Sequence, residues 1–224
     1  MNAVIEDYLS TQGLRVPVAQ VREAVQVLGL VLQHAEVQLA DEALWRAPAR
    51  QDGFQAAQVF DLHGEIPDDV ARRQLLRRVY AAAETAFAQH TCSHLSVFLL
   101  QPERLLRLVS CGRIAEGELP CGADDWDKHL AVRCAQSAWL NVVEDSAEWL
   151  RSGDLTGERH LPPMRQWALP ICRENGAVLG VLYGEGELTL PVSDELLGWW
   201  VGFAIALVNV MDKFNDCTDD ALCP

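Results

Sequence analysis

The sequence lacks the features of several large functional classes. No apolar run reads as a membrane span: the uncharged stretch Leu196 to Met211 falls short of the roughly 20 residues required, and Glu195 and Asp212 bracket it. That stretch reads as a buried helix. The N-terminal MNAVIEDYLSTQG has acidic residues and no apolar core, so it does not read as a secretory signal. Basic residues are few: 18 Lys and Arg against 32 Asp and Glu give a net charge of -14. Nucleic acid and anionic membrane surfaces both need a basic footprint, so both are poor partners. The one local cluster, Arg72, Arg73, Arg77 and Arg78, reads as a salt-bridged helix face. Regular cysteine spacing is missing too. Seven cysteines, an odd number without an export signal, point to reduced thiols in the cytoplasm. Glycine-rich phosphate loops are absent, since Gly184-Glu-Gly186 lacks a third glycine and a following helix start. No helix-turn-helix, kinase or cyclase signature can be read.

What is present suits one globular domain with an extension: 224 residues, half of them hydrophobic and 22% charged. The strongest local signal is Met164 to Gly186, two apolar strands joined at Asn175-Gly176, the dipeptide favoured in type I′ hairpins. Trp167, Leu169 and Ile171 share one face, and Val178, Leu182, Gly180 and Gly184 alternate with Leu179, Val181 and Tyr183. Both faces are largely apolar, which places this hairpin centrally in a sheet covered on both sides.

Toward the N-terminus, residues 1–13 predict a short helix ended by Gly13. Pro17 then opens a seam, Val18, Val21, Val25, Leu28, Leu32, Ala35 and Leu39, with the three-and-four spacing of a coiled coil. Residues 47–69 read as a connector with a short ordered piece around Phe54 to Leu62. Pro67-Asp68-Asp69 opens a helix over about 68–90. Leu95 to Leu100 and Leu105 to Cys111 predict strands around a Gln101–Arg104 turn. Asp124 or Asp125 caps a helix to about Ala138, Trp139 to Val143 is a short strand, and Glu144-Asp145 begins another helical turn. Ser193 or Asp194 caps the last helix, whose seam is Leu197, Trp200, Ala204, Leu207, Met211 and Phe214. Residues 215–224 form an acidic tail.

This order of elements resembles the GAF domain family, small-molecule sensing modules. Leu140-Asn-Val-Val-Glu-Asp145 resembles the family's short strand ending in an acidic residue. Ala168-Leu-Pro-Ile171, Asn175-Gly176 and Leu179-Gly-Val-Leu182 look like its hairpin. The resemblance covers about 68–214, with 1–67 a helical extension and connector outside it. It implies an α+β fold: an antiparallel sheet of five or six strands, helices on one face and a ligand pocket on the other. It also implies a parallel homodimer through the terminal helices, which the Val18–Leu39 and Leu197–Phe214 seams suit, although an intramolecular bundle fits those seams nearly as well.

In such a fold the pocket lies between the sheet and residues 112–163. Candidate ligand contacts there are Trp126, His129, Trp139, Asn141, Glu144, Asp145 and Trp149, with Arg151 and His160 nearby and Trp167 on the hairpin. For Trp139 and Trp149, core packing outweighs ligand contact; Trp126, in an acidic loop, is the better pocket candidate. Free methionine sulfoxide reductases are GAF proteins that use cysteines in this region, which makes Cys111 and Cys121 redox candidates. Their third cysteine has no counterpart between Arg151 and Gln166. His90, Cys92 and His94 have metal-ligating chemistry but no second cluster to complete a site. The expected function is therefore a non-enzymatic small-molecule sensor, cytoplasmic, signalling through its terminal helices to a partner protein. The alternatives are a ligand-free dimeric scaffold and a thiol-based redox sensor or reductase.

Overall fold

A computed structural model describes residues 1–45, 49–50, 62, 64–90, 92–112, 116–157, 160, 162–189 and 192–215. Most of the ordered piece expected around Phe54 to Leu62, and all but the first residue of the acidic tail, lie outside the described residues.

The fold is α+β, built on a seven-stranded sheet. Its continuous body is antiparallel, in the spatial order β3 (Arg104–Gly112), β2 (His94–Gln101), β7 (Val178–Gly186), β6 (Arg165–Cys172) and β5 (Asn141–Val143). The short β4 (Glu118–Pro120) pairs antiparallel with β3, and β1 (Ala49–Arg50) adds a two-residue parallel bridge to the same strand. The Met164–Gly186 hairpin is central, as its two-sided apolar pattern requires.

Its turn differs from the expected type I′. That geometry needs positive φ at both central residues, and only Gly176 has it, at +83°. The Gly176 N–H donates to the Arg173 carbonyl and the Arg173 N–H to the Ala177 carbonyl, both at 2.9 Å. Asn175 Oδ1 accepts from the Ala177 N–H at 3.0 Å. This local side-chain bond serves Asn175 without a positive φ, so the loop is a three-residue turn closed by a left-handed glycine.

One face of the sheet is covered by α1 (Asn2–Thr11), α2 (Val18–His34), α4 (Val70–Gln89) and α7 (Asp194–Asn215), with α3 (Asp41–Trp45) beside them. The two seams meet inside the chain. A Cβ on Gly202 would lie 2.4 Å from Ala24 Cβ and 2.8 Å from the Val21 carbonyl, and one on Gly198 would lie 2.7 Å from Val16 Cγ1. These two glycines, one turn apart on α7, let the α2 backbone approach closely. Val21, Leu28, Leu32, Trp200, Ala204, Leu207, Met211 and Phe214 are buried there. α2 ends at His34 and Ala35 is extended, so Ala35 and Leu39 of the predicted seam lie past the helix.

The sheet makes room for α7 in the same way. Gly180 has no Cβ where Met211 arrives, and Gly184 has none where the Trp167 indole lies; an added Cβ would sit 2.5 and 2.4 Å away. Trp167 in turn stacks on Trp200, centroids 5.8 Å apart at 28°. Residues Asp194–Phe214 are long and apolar enough to cross a bilayer, and half of that window is buried inside the fold. Packing against α2 and the sheet accounts for the apolar composition. The basic cluster on α4 is a salt-bridged face: Arg72 pairs with Asp69, Arg73 with Asp68 at 3.2 Å, Arg77 with Asp41, and Arg78 with Glu36 at 3.4 Å.

On the other face lie α5 (Leu130–Ser137), α6 (Ser146–Ser152) and a 3₁₀ turn at Ala123–Asp125. The helix expected from Asp124 or Asp125 begins only at Leu130, because His129 caps it: Nδ1 accepts from the Ala131 N–H at 3.0 Å. A second core forms here, from Phe98, Leu105, Leu119, Leu130, Val181 and neighbours.

Candidate ligand site

The sheet register lines up two rows of side chains. Ser96 on β2 is paired with Ser110 on β3 and with Tyr183 on β7, which in turn faces Ala168 on β6. One step along, His94 pairs with Glu185, and Glu185 with Gln166. Because strand residues two apart share a face, His94 and Ser96, Tyr183 and Glu185, and Gln166 and Ala168 all stand on one side. Every one of these side chains is buried: His94 and Ser110 are 1% exposed, Glu185 3%, and Ser96 and Gln166 0%.

The rows are bound laterally. Ser96 Oγ lies 2.8 Å from His94 Nε2 and donates to Ser110 Oγ at 3.0 Å. The Tyr183 hydroxyl donates to Glu185 Oε1 at 2.6 Å. Two further histidines, both buried, sit over the rows. The His129 ring lies 4.7 Å from that of Tyr183 and 6.3 Å from those of Phe98 and His160. His160 Nε2 is 3.2 Å from the Lys128 carbonyl, which can only accept, so the ring proton sits on Nε2. Nδ1 then accepts from Gln166 Nε2 at 3.1 Å. That leaves Gln166 Oε1 buried with no hydrogen-bond partner. An unsatisfied acceptor among imidazoles, hydroxyls and a carboxylate can take a donor from a bound molecule.

The predicted contacts divide between this cluster and other places. His129 belongs to it. Trp126 and Trp149 lie nearby but are engaged by Arg133, whose guanidinium is 4.0 Å from the Trp126 ring centroid and 5.0 Å from that of Trp149. Arg133 itself is buried and donates to the Asp154 carbonyl at 2.8 Å. Asn141, Glu144 and Asp145 lie at the β5 edge: Asn141 donates to the Trp139 carbonyl at 2.7 Å, Glu144 pairs with Arg165 at 2.5 Å, and Asp145 caps α6 through the Ala147 N–H at 2.8 Å. Trp139, weighed as core, is 55% exposed. It follows Ala138, the only described non-glycine residue with positive φ, and Gln12, which follows α1, binds the backbone on both sides of it. Trp167 is on the far face of the sheet, in the helix-side core.

Of the redox candidates, Cys111 belongs to the helix-side core and Cys121 packs on the opposite one, so the sheet separates them. Burial pushes up the Cys121 thiol, with Gln136 opposing, and burial raises Cys172 to about 11 and Cys92 to about 12. A thiolate nucleophile needs the opposite shift. His90, Cys92 and His94 diverge: His90 packs on Trp199 and Trp200, Cys92 lies near Cys111, and His94 joins the polar rows. Sequence reasoning missed Ser96, Tyr183, Glu185 and Gln166 as site residues, and weighed His94 only as a metal ligand. The available signal was polar residues two apart, Tyr183/Glu185 inside the hairpin expected to be buried on both faces, and His94/Ser96 at the start of the expected Leu95–Leu100 strand.

No family model matches the chain, and no curated protein matches it. Solved structures do. A putative GAF sensor protein from Burkholderia vietnamiensis superposes with a TM-score of 0.54 at 11% identity, over 88% of this chain and 94% of that one. Free methionine-R-sulfoxide reductase from Neisseria meningitidis, solved with its substrate, superposes with a TM-score of 0.52 at 16% identity, over 88% and 91%. At such identities the likeness is one of fold, and the fold of this chain is the GAF fold.

Proposed function

We propose that this GAF-fold protein is a cytoplasmic regulatory module that binds a small polar molecule between the sheet and residues 116–164. Binding would be passed through α2 and α7 to a partner protein. The observation that carries the reading is the pair of polar rows, His94/Glu185/Gln166 and Ser96/Ser110/Tyr183, sealed on the sheet face opposite the helices. A core needs no such groups, and burying them has a desolvation cost that apolar residues would avoid. The mixture of donors and acceptors suits a ligand with both. Trp126, His129 and Trp149 would form its outer wall. Asn141, Glu144 and Asp145 would act only by positioning the loop around α6. A signal requires the ligand to favour one arrangement of α2 and α7 over another, since equal affinity for both shifts nothing.

A thermal-shift screen of metabolites on the full chain tests this. A true ligand at a hundredfold excess over its Kd should raise the melting temperature by about 5–10 °C, and Glu185→Gln should remove that rise. A broad screen without any stabilising compound, or a ligand indifferent to Glu185→Gln, would sink the proposal.

A further inference from the structure

A cavity of about 1000 Å³ opens on the helical side of the molecule, away from the polar rows. α1, α2, α7 and the β6–β7 turn enclose it, with Tyr8, Val25, Leu32, Ile205, Val208 and Cys172 among its walls. That volume is at the upper end for small-molecule sites, and a mostly apolar wall with a few hydrogen-bonding groups is their usual character.

Three observations bear on what fills it. The first is Gly29, in the middle of α2. A glycine inside a helix destabilises it relative to alanine, and the usual reason to keep one is close packing. Gly198 and Gly202 show that reason, since a Cβ would strike Val16 just before α2 in the one case and α2 itself in the other. Gly29 does not: nothing lies within 4 Å of where its Cβ would be, and the space beyond is this cavity. Its missing side chain leaves volume for something other than the protein. The second is apolar exposure. Met1, Val4 and Leu30, three of the seven exposed large apolar side chains among the described residues, border the cavity. The third is charge. Arg78 is paired with Glu36 and Arg173 with Asp212, which leaves Asp7, Glu174 and Lys213 on the wall with one net negative charge. Three exposed carboxamides, Gln26, Gln33 and Asn209, also line it. A carboxamide both donates and accepts, so it suits an uncharged polar head.

We propose that this cavity is a second ligand site, for an uncharged amphipathic molecule: an alkyl or aryl body against α1, α2 and α7, with an amide-like head on Gln26, Gln33 and Asn209. A ligand there touches α2 and α7 directly.

The test uses the full chain and the uncharged fluorophore N-phenyl-1-naphthylamine. The wild type should bind it with enhanced emission, and decanamide should displace it far better than decanoate. Gly29→Leu fills the vacant volume and should weaken binding about tenfold or more, equivalent to about 1.4 kcal/mol or more, while melting at the same temperature as the wild type or higher. Gly29→Ala should weaken it less and raise the melting temperature. The proposal is overturned if Gly29→Leu binds the fluorophore like the wild type, or if decanoate competes as well as decanamide. It is also overturned if sedimentation shows a micromolar dimer that excludes the fluorophore and that Gly29→Leu dissociates, because the occupant is then a second copy of the chain.

Discussion

The two faces of the sheet are built from the same five strands and are equally well buried, yet their chemistry differs. Toward the helices the contacts are almost wholly apolar, and shape decides them: Trp167 on Trp200, Gly184 under the Trp167 indole, Gly180 under Met211. Toward α5 the same strands present His94, Ser96, Tyr183, Glu185 and Gln166. Folding explains the first face, because each small residue there is matched to a large one. It does not explain the second, where apolar residues of similar size would pack without desolvated acceptors. The contrast teaches that burial alone does not mark a core, and that the face carrying polarity without structural need is the one to test for function.

The comparison can be broken by experiments of decreasing effect. Trp167→Ala removes the largest apolar contact between β6 and α7 and should lower unfolding free energy by about 4 kcal/mol in urea titration. A small loss would mean that Trp167 is not structural after all. Gly202→Ala forces a methyl group toward Ala24 and the Val21 carbonyl, and overpacking of this kind should lower it by about 2 kcal/mol. On the polar face, Glu185→Gln keeps an acceptor for the Tyr183 hydroxyl and should move stability by only about 1 kcal/mol either way. A loss as large as that of Trp167→Ala would make the polar rows structural and erase the contrast.

The smallest effect concerns pH. Burial against Trp199 and Trp200 lowers the His90 pKa, with Glu195 opposing. The unfolded chain therefore takes up this proton first as pH falls below about 6.5. Unfolding free energy should decline across that window more steeply for the wild type than for His90→Phe, which keeps a ring and cannot titrate. Equal slopes would show that His90 is indifferent to its setting.

Much of the fold was legible residue by residue. Asn175-Gly176 between two apolar runs announces the hairpin, Gly13 and Pro17 punctuate the first helices, and Asp69 caps α4 through the Arg72 N–H. These signals are local, acting within three or four residues. The turn type escaped because the Asn175 side chain chose between two backbone solutions that the dipeptide alone does not distinguish. The start of α5 escaped because a histidine caps it, outside the usual set of capping residues. Two heptad patterns were equally plain, but periodicity says only that a stripe needs covering. It does not say by what.

The sequence by itself determined the longer helices and the main strands and their order, because propensity, capping and periodicity are properties of neighbouring residues; it did not determine α3, β1 or β4. Only the tertiary structure decided that α2 covers α7 within one chain, since that depends on Gly198 and Gly202 meeting Val16 and Ala24 from across the molecule. The same holds for the candidate site. His94, Glu185 and Gln166 are up to 91 residues apart (185 − 94 = 91), and strand register alone sets them side by side. Register is fixed by long-range pairing, and no local pattern contains it.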